Sequence, residues 1–372
     1  MNRVLQVIGS LNNGGSQAMV MSLYRNIDRS KIQFDFIYFH ENEIFFKKEI
    51  ESLGGKVYLI PNFNGKNIYE YWSAWKNFFN EHPEYKLIHG HVRSTASIYL
   101  HIAKKNGLTT IAHSHNTSNG VGFSAFVKKC FQYPIKYVSD YLFACSVDSG
   151  KWLYGERTAK KREITVINNA IDSKQYVFNK DIRNRLRKEL GIEGKFVIGH
   201  VGRFFYPKNH DYMIDIFNSV QKLSGNAVLI LVGQGDLQEF IKEKVKKLGL
   251  EESVRFLNIR SDVPDLMQAM DLFLFPSIHE GLPVALVEAQ ATGMHCVVSN
   301  TVSTEIALTD LIDYVDLEES SDIWAKKILS YDNSYERKNT QSQIVNAGFD
   351  IENAANLIEE FYIERIESTN GR

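Results

Sequence analysis

Glu280 and Glu288 stand with seven residues between them, inside the strings Pro-Ser-Ile-His-Glu-Gly-Leu-Pro (276–283) and Val-Glu-Ala-Gln-Ala-Thr-Gly (287–293). Carboxylates accept hydrogen bonds from hydroxyls, and the first precedes a helix whose first turn is marked by Pro283. The free N–H groups of Gly281, Leu282 and Val284 at such a helix start would receive an anion or a hydroxyl. Upstream, Gly202-Arg203-Phe204-Phe205-Tyr206-Pro207-Lys208-Asn209 sets an arginine and a lysine five positions apart in one loop. Arg203 would bind phosphate oxygens through its planar fork and Lys208 as a point charge. Together these groups can hold a diphosphate with a hydroxyl-bearing group attached. Two histidine pairs, His89/His91 and His113/His115, end predicted strands, and residues two apart on a strand point the same way. A metal site there is conceivable, but the bland reading is preferred, and no metal ligand is assigned. No Asp-x-Asp pair for a diphosphate-bound cation occurs in the chain.

The elements that must position these residues are legible in the hydrophobic pattern. Runs 272–275 and 296–299 are too short and apolar for helices and predict buried strands flanking the loop and helix that hold Glu280 and Glu288. Earlier strand-like runs at 4–8, 34–39, 57–60, 85–89, 109–112 and 141–145 alternate with helical stretches at 17–26, 68–79, 94–105, 123–138 and 146–154. Such alternation predicts parallel sheets covered on both faces, with ligand groups at strand carboxyl ends. The first strand ends in a glycine-rich turn, 9–17, that lacks the G-x-G-x-x-G spacing of a dinucleotide site; Ser16 is read as the helix N-cap. The second half repeats the theme with strands at 196–201, 227–232 (ending in the Gly233-Gln234-Gly235 turn, Asp236 as N-cap) and 254–258. Asp350 is read as capping a final helix.

The totals agree with a soluble enzyme of two domains. At 372 residues the chain exceeds one ordinary core. A hydrophobic content of 44% with 23% charged residues excludes a disordered chain, and no apolar run is long enough to span a bilayer. The net charge of −1 gives no field for nucleic acid, so no nucleic-acid partner is expected. Cys130, Cys145 and Cys296 have no Cys-x-x-Cys spacing, which points to a reducing cytoplasm. Asn168-Asn169 is turn chemistry near mid-chain and marks the hinge.

The string around Glu280 and Glu288, with Gly202-Arg203 and Lys208-Asn209, resembles the signature of glycosyltransferase family 4, the retaining sugar-nucleotide transferases. The resemblance implies an α/β GT-B fold, two Rossmann-like doubly wound domains facing a central cleft. The boundaries expected are 1–171 for an acceptor-side domain, completed by a C-terminal helix at 351–372, and 172–350 for a nucleotide-sugar-binding domain. It implies that Gly15 lies beside the donor phosphates and that His115 faces the reacting sugar. It also implies that Gly202, Arg203 and Lys208 clamp the diphosphate, that the Gly233 turn approaches the nucleotide and that Arg260 holds the base through its backbone. Glu280 would orient the sugar with Gly281, Leu282 and Pro283, and Glu288 would accept both ribose hydroxyls. Catalytic roles fall to His115, Arg203, Lys208 and Glu280, with no metal and no cofactor beyond the nucleotide-sugar substrate. Where related transferases usually carry Pro-Asn-Gly-Val-Asp, this chain has Asn168-Asn169-Ala170-Ile171-Asp172, which puts a glycine-only backbone conformation there in doubt.

The segment 113–118 and the strings 280–283 and 286–291 are most similar to exopolysaccharide and capsule transferases of bacteria. That similarity implies a glycan or lipid-linked acceptor, and uridine, the commonest donor base in such enzymes, makes a UDP-sugar the expectation. Residues 123–137, aromatic and basic without an acid, fit either an anionic membrane surface or a core-facing helix with solvated lysines. The lipid-linked acceptors of similar enzymes favour peripheral membrane contact on the cytoplasmic face. Two rivals remain. A nucleotide-sugar epimerase of related fold would form an isomer from donor alone, and a non-catalytic nucleotide-sugar sensor would release no free sugar from donor in water.

Overall fold

Seven short runs rich in β-branched and aromatic residues form the first parallel sheet of the computed structural model, which describes residues 1–12, 14–115, 123–331 and 336–370. They are β1 Asn2–Val7, β2 Ile32–Tyr38, β3 Val57–Leu59, β4 Leu87–Gly90, β5 Thr109–Ser114, β6 Tyr141–Ala144 and β7 Ile164–Val166, in the order β3-β2-β1-β4-β5-β6-β7. Six more make a second parallel sheet: β8 Phe196–Val201, β9 Ala227–Val232, β10 Val254–Asn258, β11 Leu272–Phe275, β12 His295–Ser299 and β13 Ile312–Val315, in the order β10-β9-β8-β11-β12-β13. The chain divides into two compact units, residues 1–170 with 351–372, and 171–350.

Each sheet is apolar on both faces because helices cover both. In the first unit one layer gathers Val20, Tyr24, Phe34 and Phe36, and the helix Ile351–Asn370 adds Ile358 and Tyr362 to it. The opposite layer stacks Trp75 and Tyr99 against Leu100 and Ile88. In the second unit the buried faces of Leu286, Val287 and Phe273 lie on one side and those of Phe217, Leu229 and Trp324 on the other. Both strand orders reverse direction once, at β1/β4 and at β8/β11. Reversal points are where open parallel sheets leave room for ligands at their carboxyl edge.

Local details depart from expectation. Ser16 is inside the helix Gly15–Asn26, which starts after Gly14 with no side-chain cap. The glycines let the chain turn into helix two residues early, and the Ser16 hydroxyl bonds Gln17 instead. Asp236 caps nothing, since the helix Gln238–Lys247 begins after Leu237. Pro283 itself is the N-cap of Val284–Ala291, in extended conformation, so the helix begins one residue later than expected. The stretch 123–138 is two helices, Phe123–Gln132 and Ile135–Val138, parted at Pro134, which lacks the N–H a continuous helix needs. Residues 127–130 are exposed while Phe131 packs on the first unit's core. No helix among the described residues is long and apolar enough to cross a membrane.

Candidate functional site

In the second unit, the loops that leave β8 and β11 are stitched together. The Ile278 N–H donates to the Pro207 carbonyl at 2.8 Å and Asn209 Nδ2 to the Pro276 carbonyl at 3.0 Å. Asn209 sits in the left-handed region, φ 56°, a conformation asparagine tolerates better than most residues, and this turns the chain into the helix His210–Ser224. The stitching sets Lys208 Nζ 2.8 Å from Glu280 Oε1, with only 13% and 14% of the two side chains exposed. That Glu280 oxygen makes no directed hydrogen bond, so charge alone holds the pair. Lys208 Nζ also lies 4.6 Å over the Phe275 ring. Its stem passes Gly202, where an added Cβ would come within 3.4 Å of it and 2.7 Å of His200 Nε2.

The floor of this loop is glycine for steric reasons. Gly233 has φ 137°, and a Cβ there would stand 2.1 Å from the Gly202 carbonyl oxygen; one at Gly235 would stand 2.3 Å from that of Phe204. The Gly202 N–H donates to Val232 and the Phe204 N–H to Gln234, so the turn after β9 carries the Arg203 loop on its back. Arg203 is exposed, 3.9 Å from Asp236 and with its guanidinium 6.0 Å over the Phe205 ring. Below, His200 and His210 are buried and neutral, with desolvation lowering both and His210 brought to about 4.

Beyond Glu280 the helix Val284–Ala291 starts without a side-chain cap. Among the described residues nothing accepts from the N–H groups of Gly281, Leu282 or Val284, so partial positive charge faces outward beside Lys208 and Glu280. The loop ahead of it is anchored by Ser299 Oγ and Thr301 Oγ1, which both donate to the Ser277 carbonyl, at 2.5 and 2.7 Å. Gly281 has open space where a Cβ would be.

Glu288 sits further along the same helix. Burial raises its carboxyl above the usual range, and Tyr176, which donates to Oε1 at 2.8 Å, opposes that rise. Tyr176, on the short helical turn Ser173–Tyr176 and not singled out by sequence reading, occupies one of the two carboxylate oxygens. Arg260 is exposed, its side chain paired with Asp262 at 2.8 and 2.7 Å. Another cavity lies at the amino ends of β8 and β11, lined by Arg183, Arg187, Asp271 and Arg337. Its arginines are already used: Arg183 and Arg187 pair with Asp271, and Arg337 donates to the carbonyls of Met267 and Met270.

In the first unit, the carboxyl ends of β4 and β5 bring the two histidine pairs together. Ring centroids are 4.4 Å apart for His89/His91, 4.1 Å for His113/His115 and 5.1 Å for His89/His113. Desolvation holds all of them neutral, with His115 lowered to about 3. Candidate ligand nitrogens of His89, His91 and His113 lie within 4.8 Å of one another, but hydrogen bonds occupy both nitrogens of His89 and His91. Gly15 opens its helix with free space around the missing Cβ. Asn116, Thr117 and Ser118, which follow His115 in the resembled segment, lie outside the described residues. From 168 to 172 no residue takes the left-handed conformation, so Ala170 meets no strain there.

Comparison with known proteins covers both units. The family model described as Glycosyltransferase Family 4 matches residues 13–175, and that described as Glycosyl transferases group 1 matches residues 182–343. A Bacillus subtilis (strain 168) protein named as a glycosyltransferase, EpsF, is 31% identical over 332 residues, 88% of this chain and 86% of that one. An Escherichia coli UDP-Gal:alpha-D-GlcNAc-diphosphoundecaprenol alpha-1,3-galactosyltransferase is 26% identical over 309 residues, 76% of each. Among solved structures, Anabaena HepE in complex with UDP superimposes with a TM-score of 0.77 at 21% identity, covering 98% of this chain and all of that one, which places the fold in the GT-B class.

Proposed function

This chain belongs to glycosyltransferase family 4, and from that premise we propose that it moves a sugar from a UDP-sugar to a hydroxyl of a glycan or lipid-linked oligosaccharide, with the anomeric configuration retained. That the chain is a glycosyltransferase acting on a nucleotide sugar follows from its relatives. The uridine and the acceptor class rest on the names of the E. coli galactosyltransferase and of the UDP-bound HepE. A role in surface polysaccharide synthesis rests on the same lipid-linked E. coli acceptor.

One observation supports the site assignment: Lys208, Glu280 and the N–H groups of Gly281, Leu282 and Val284 are held on the stitched loops that leave β8 and β11, with Glu288 further along the helix that follows. In transfer, the bond from the anomeric carbon to the diphosphate oxygen breaks and the acceptor oxygen bonds that carbon. The acceptor's proton passes to the departing phosphate. Lys208, Arg203 and the helix-start amides meet the charge that develops on the diphosphate, a kind of stabilisation for which one donor is typically worth on the order of 3 kcal/mol. Glu280 accepts from hydroxyls of the donor sugar, Glu288 from those of the ribose, and His115 from a hydroxyl of the sugar. The backbone at Gly233 and Arg260 flanks the nucleotide, and the backbone at Gly15 approaches the phosphates.

A thermal-shift screen against UDP-, GDP- and ADP-sugars is expected to return a UDP-sugar. Lys208→Ala and Glu288→Ala should then lose transfer while keeping a folded circular-dichroism spectrum. Full turnover in either variant would remove the site assignment.

A further inference from the structure

Gln6 and Tyr362 are buried polar side chains that the transfer reaction does not use, and they join two files of histidines into one hydrogen-bonded network. Gln6 Nε2 donates to the Tyr362 oxygen at 3.2 Å, which leaves the Tyr362 hydroxyl to donate to His89 Nδ1 at 2.5 Å. A neutral imidazole has one donor and one acceptor nitrogen, so each link dictates the next. His89 must carry its proton on Nε2 and donate to His113 Nδ1, 3.1 Å away, which leaves His113 with a free N–H at Nε2.

The other file starts from the other atom of the same amide. Gln6 Oε1 accepts from His91 Nε2 at 2.9 Å, so His91 Nδ1 is an acceptor and His115 donates to it from Nε2 at 2.7 Å. His115 Nδ1 therefore ends as a bare lone pair. Both chain ends, His113 Nε2 and His115 Nδ1, are buried and lack a hydrogen-bond partner among the described residues. Turning the Gln6 amide over would move the proton of every one of these rings to its other nitrogen. Because the rings stack and burial keeps each neutral, no link can change alone without leaving two donors or two acceptors face to face.

We infer that Gln6 and Tyr362 are positioning residues that fix His89, His91, His113 and His115 as Nε2–H tautomers, so that His115 presents Nδ1 to the substrate as a hydrogen-bond acceptor. An acceptor there takes a hydroxyl and turns away a carbonyl or carboxylate, so the group it meets is a sugar hydroxyl. This last step rests on the role given to His115 above, whereas the tautomer order stands on the contacts with the Gln6 amide set as Nε2 toward Tyr362 and Oε1 toward His91.

Long-range proton–nitrogen correlation spectra of the protein labelled with nitrogen-15 histidine read each tautomer. The wild type should show the Nε2–H form at all four positions, and an Nδ1–H form at any of them overturns the order. Gln6→Glu, with two acceptors in place of one donor and one acceptor, should reverse His89 and His113 while His91 and His115 stay. Tyr362→Phe, which keeps the ring, should mix the tautomers in both files. Retention of the wild-type pattern in these variants overturns the assignment of the lock. Saturation with UDP-glucose as probe should move the His115 Nδ1 resonance and leave that of His113 in place. Binding without that movement overturns the substrate half alone, and no binding overturns it together with the UDP-sugar reading.

Discussion

Beyond the ends of β8 and β11 the second unit keeps a nearly buried lysine and two carboxyl groups, whereas at the ends of β4 and β5 the first unit stacks imidazoles that carry no charge. The two sites use different physics. A diphosphate brings its own charge, and a nearly buried cation beside free amides answers it with little reorganisation. A sugar hydroxyl is neutral, and what it needs is a partner whose donor or acceptor character is settled in advance. Lys208 acts through its charge wherever its flexible stem can reach. His115 acts through the position of one proton, which Gln6 and Tyr362 decide from below.

The largest way to break this contrast is Lys208→Ala. It removes the cation and leaves Glu280 without its partner, and turnover should fall about 100- to 1,000-fold, measured as kcat with the donor returned by the screen. Glu288→Gln should lower turnover about 10- to 100-fold, the worth of a hydrogen bond to a charged group, while Tyr176 can still donate to the new amide. Its stability should move the other way. The folded carboxyl titrates above the unfolded value of about 4.3, so ionising Glu288 costs stability as pH rises through the folded pKa. Thermal melts should therefore show the wild type losing stability as pH rises from the unfolded value through the folded one, and the Gln variant not doing so. For the same reason donor affinity should begin to fall at a higher pH on acidification than an ordinary glutamate would give.

Gly233→Ala tests the scaffold under the charged site. Left-handed backbone and a contact 2.1 Å from the Gly202 carbonyl oxygen should cost about 1–3 kcal/mol of stability, read by denaturant unfolding, with a weaker donor affinity as the Arg203 loop shifts. The smallest effect expected is that of a chelator. If Lys208, Arg203 and the amides supply the whole neutralisation, turnover in EDTA should equal turnover without it. A large drop would instead transfer part of that role to a cation.

Sequence legibility divides along the same line. Arg203, Lys208, Glu280 and Glu288 stand in short strings attached to strand ends, so composition and spacing reveal them and the parallel-sheet rhythm says where they go. Tyr176 lies 112 residues from Glu288, and Gln6 lies 356 from Tyr362. No local pattern connects such residues; only the strand order does. His89, His91, His113 and His115 were visible as pairs, but their joining into one stack needed β4 and β5 to be neighbours, Leu87 opposite Thr109. The misplaced caps at Ser16 and Asp236 have a smaller cause. Glycines beside them let the backbone enter the helix at a neighbouring residue, and cap preference alone does not decide between adjacent positions.

The first unit is assembled from two stretches of chain, 1–170 and 351–372, with Tyr362 and Ile358 arriving in the second. As the polypeptide leaves the ribosome, residues 171–350 are complete before their predecessor has its closing helix. Until then β1 and its neighbours wait with one face only partly covered, the histidines have no tyrosine to order them, and the nascent enzyme can acquire its donor site before it acquires a competent partner for the sugar.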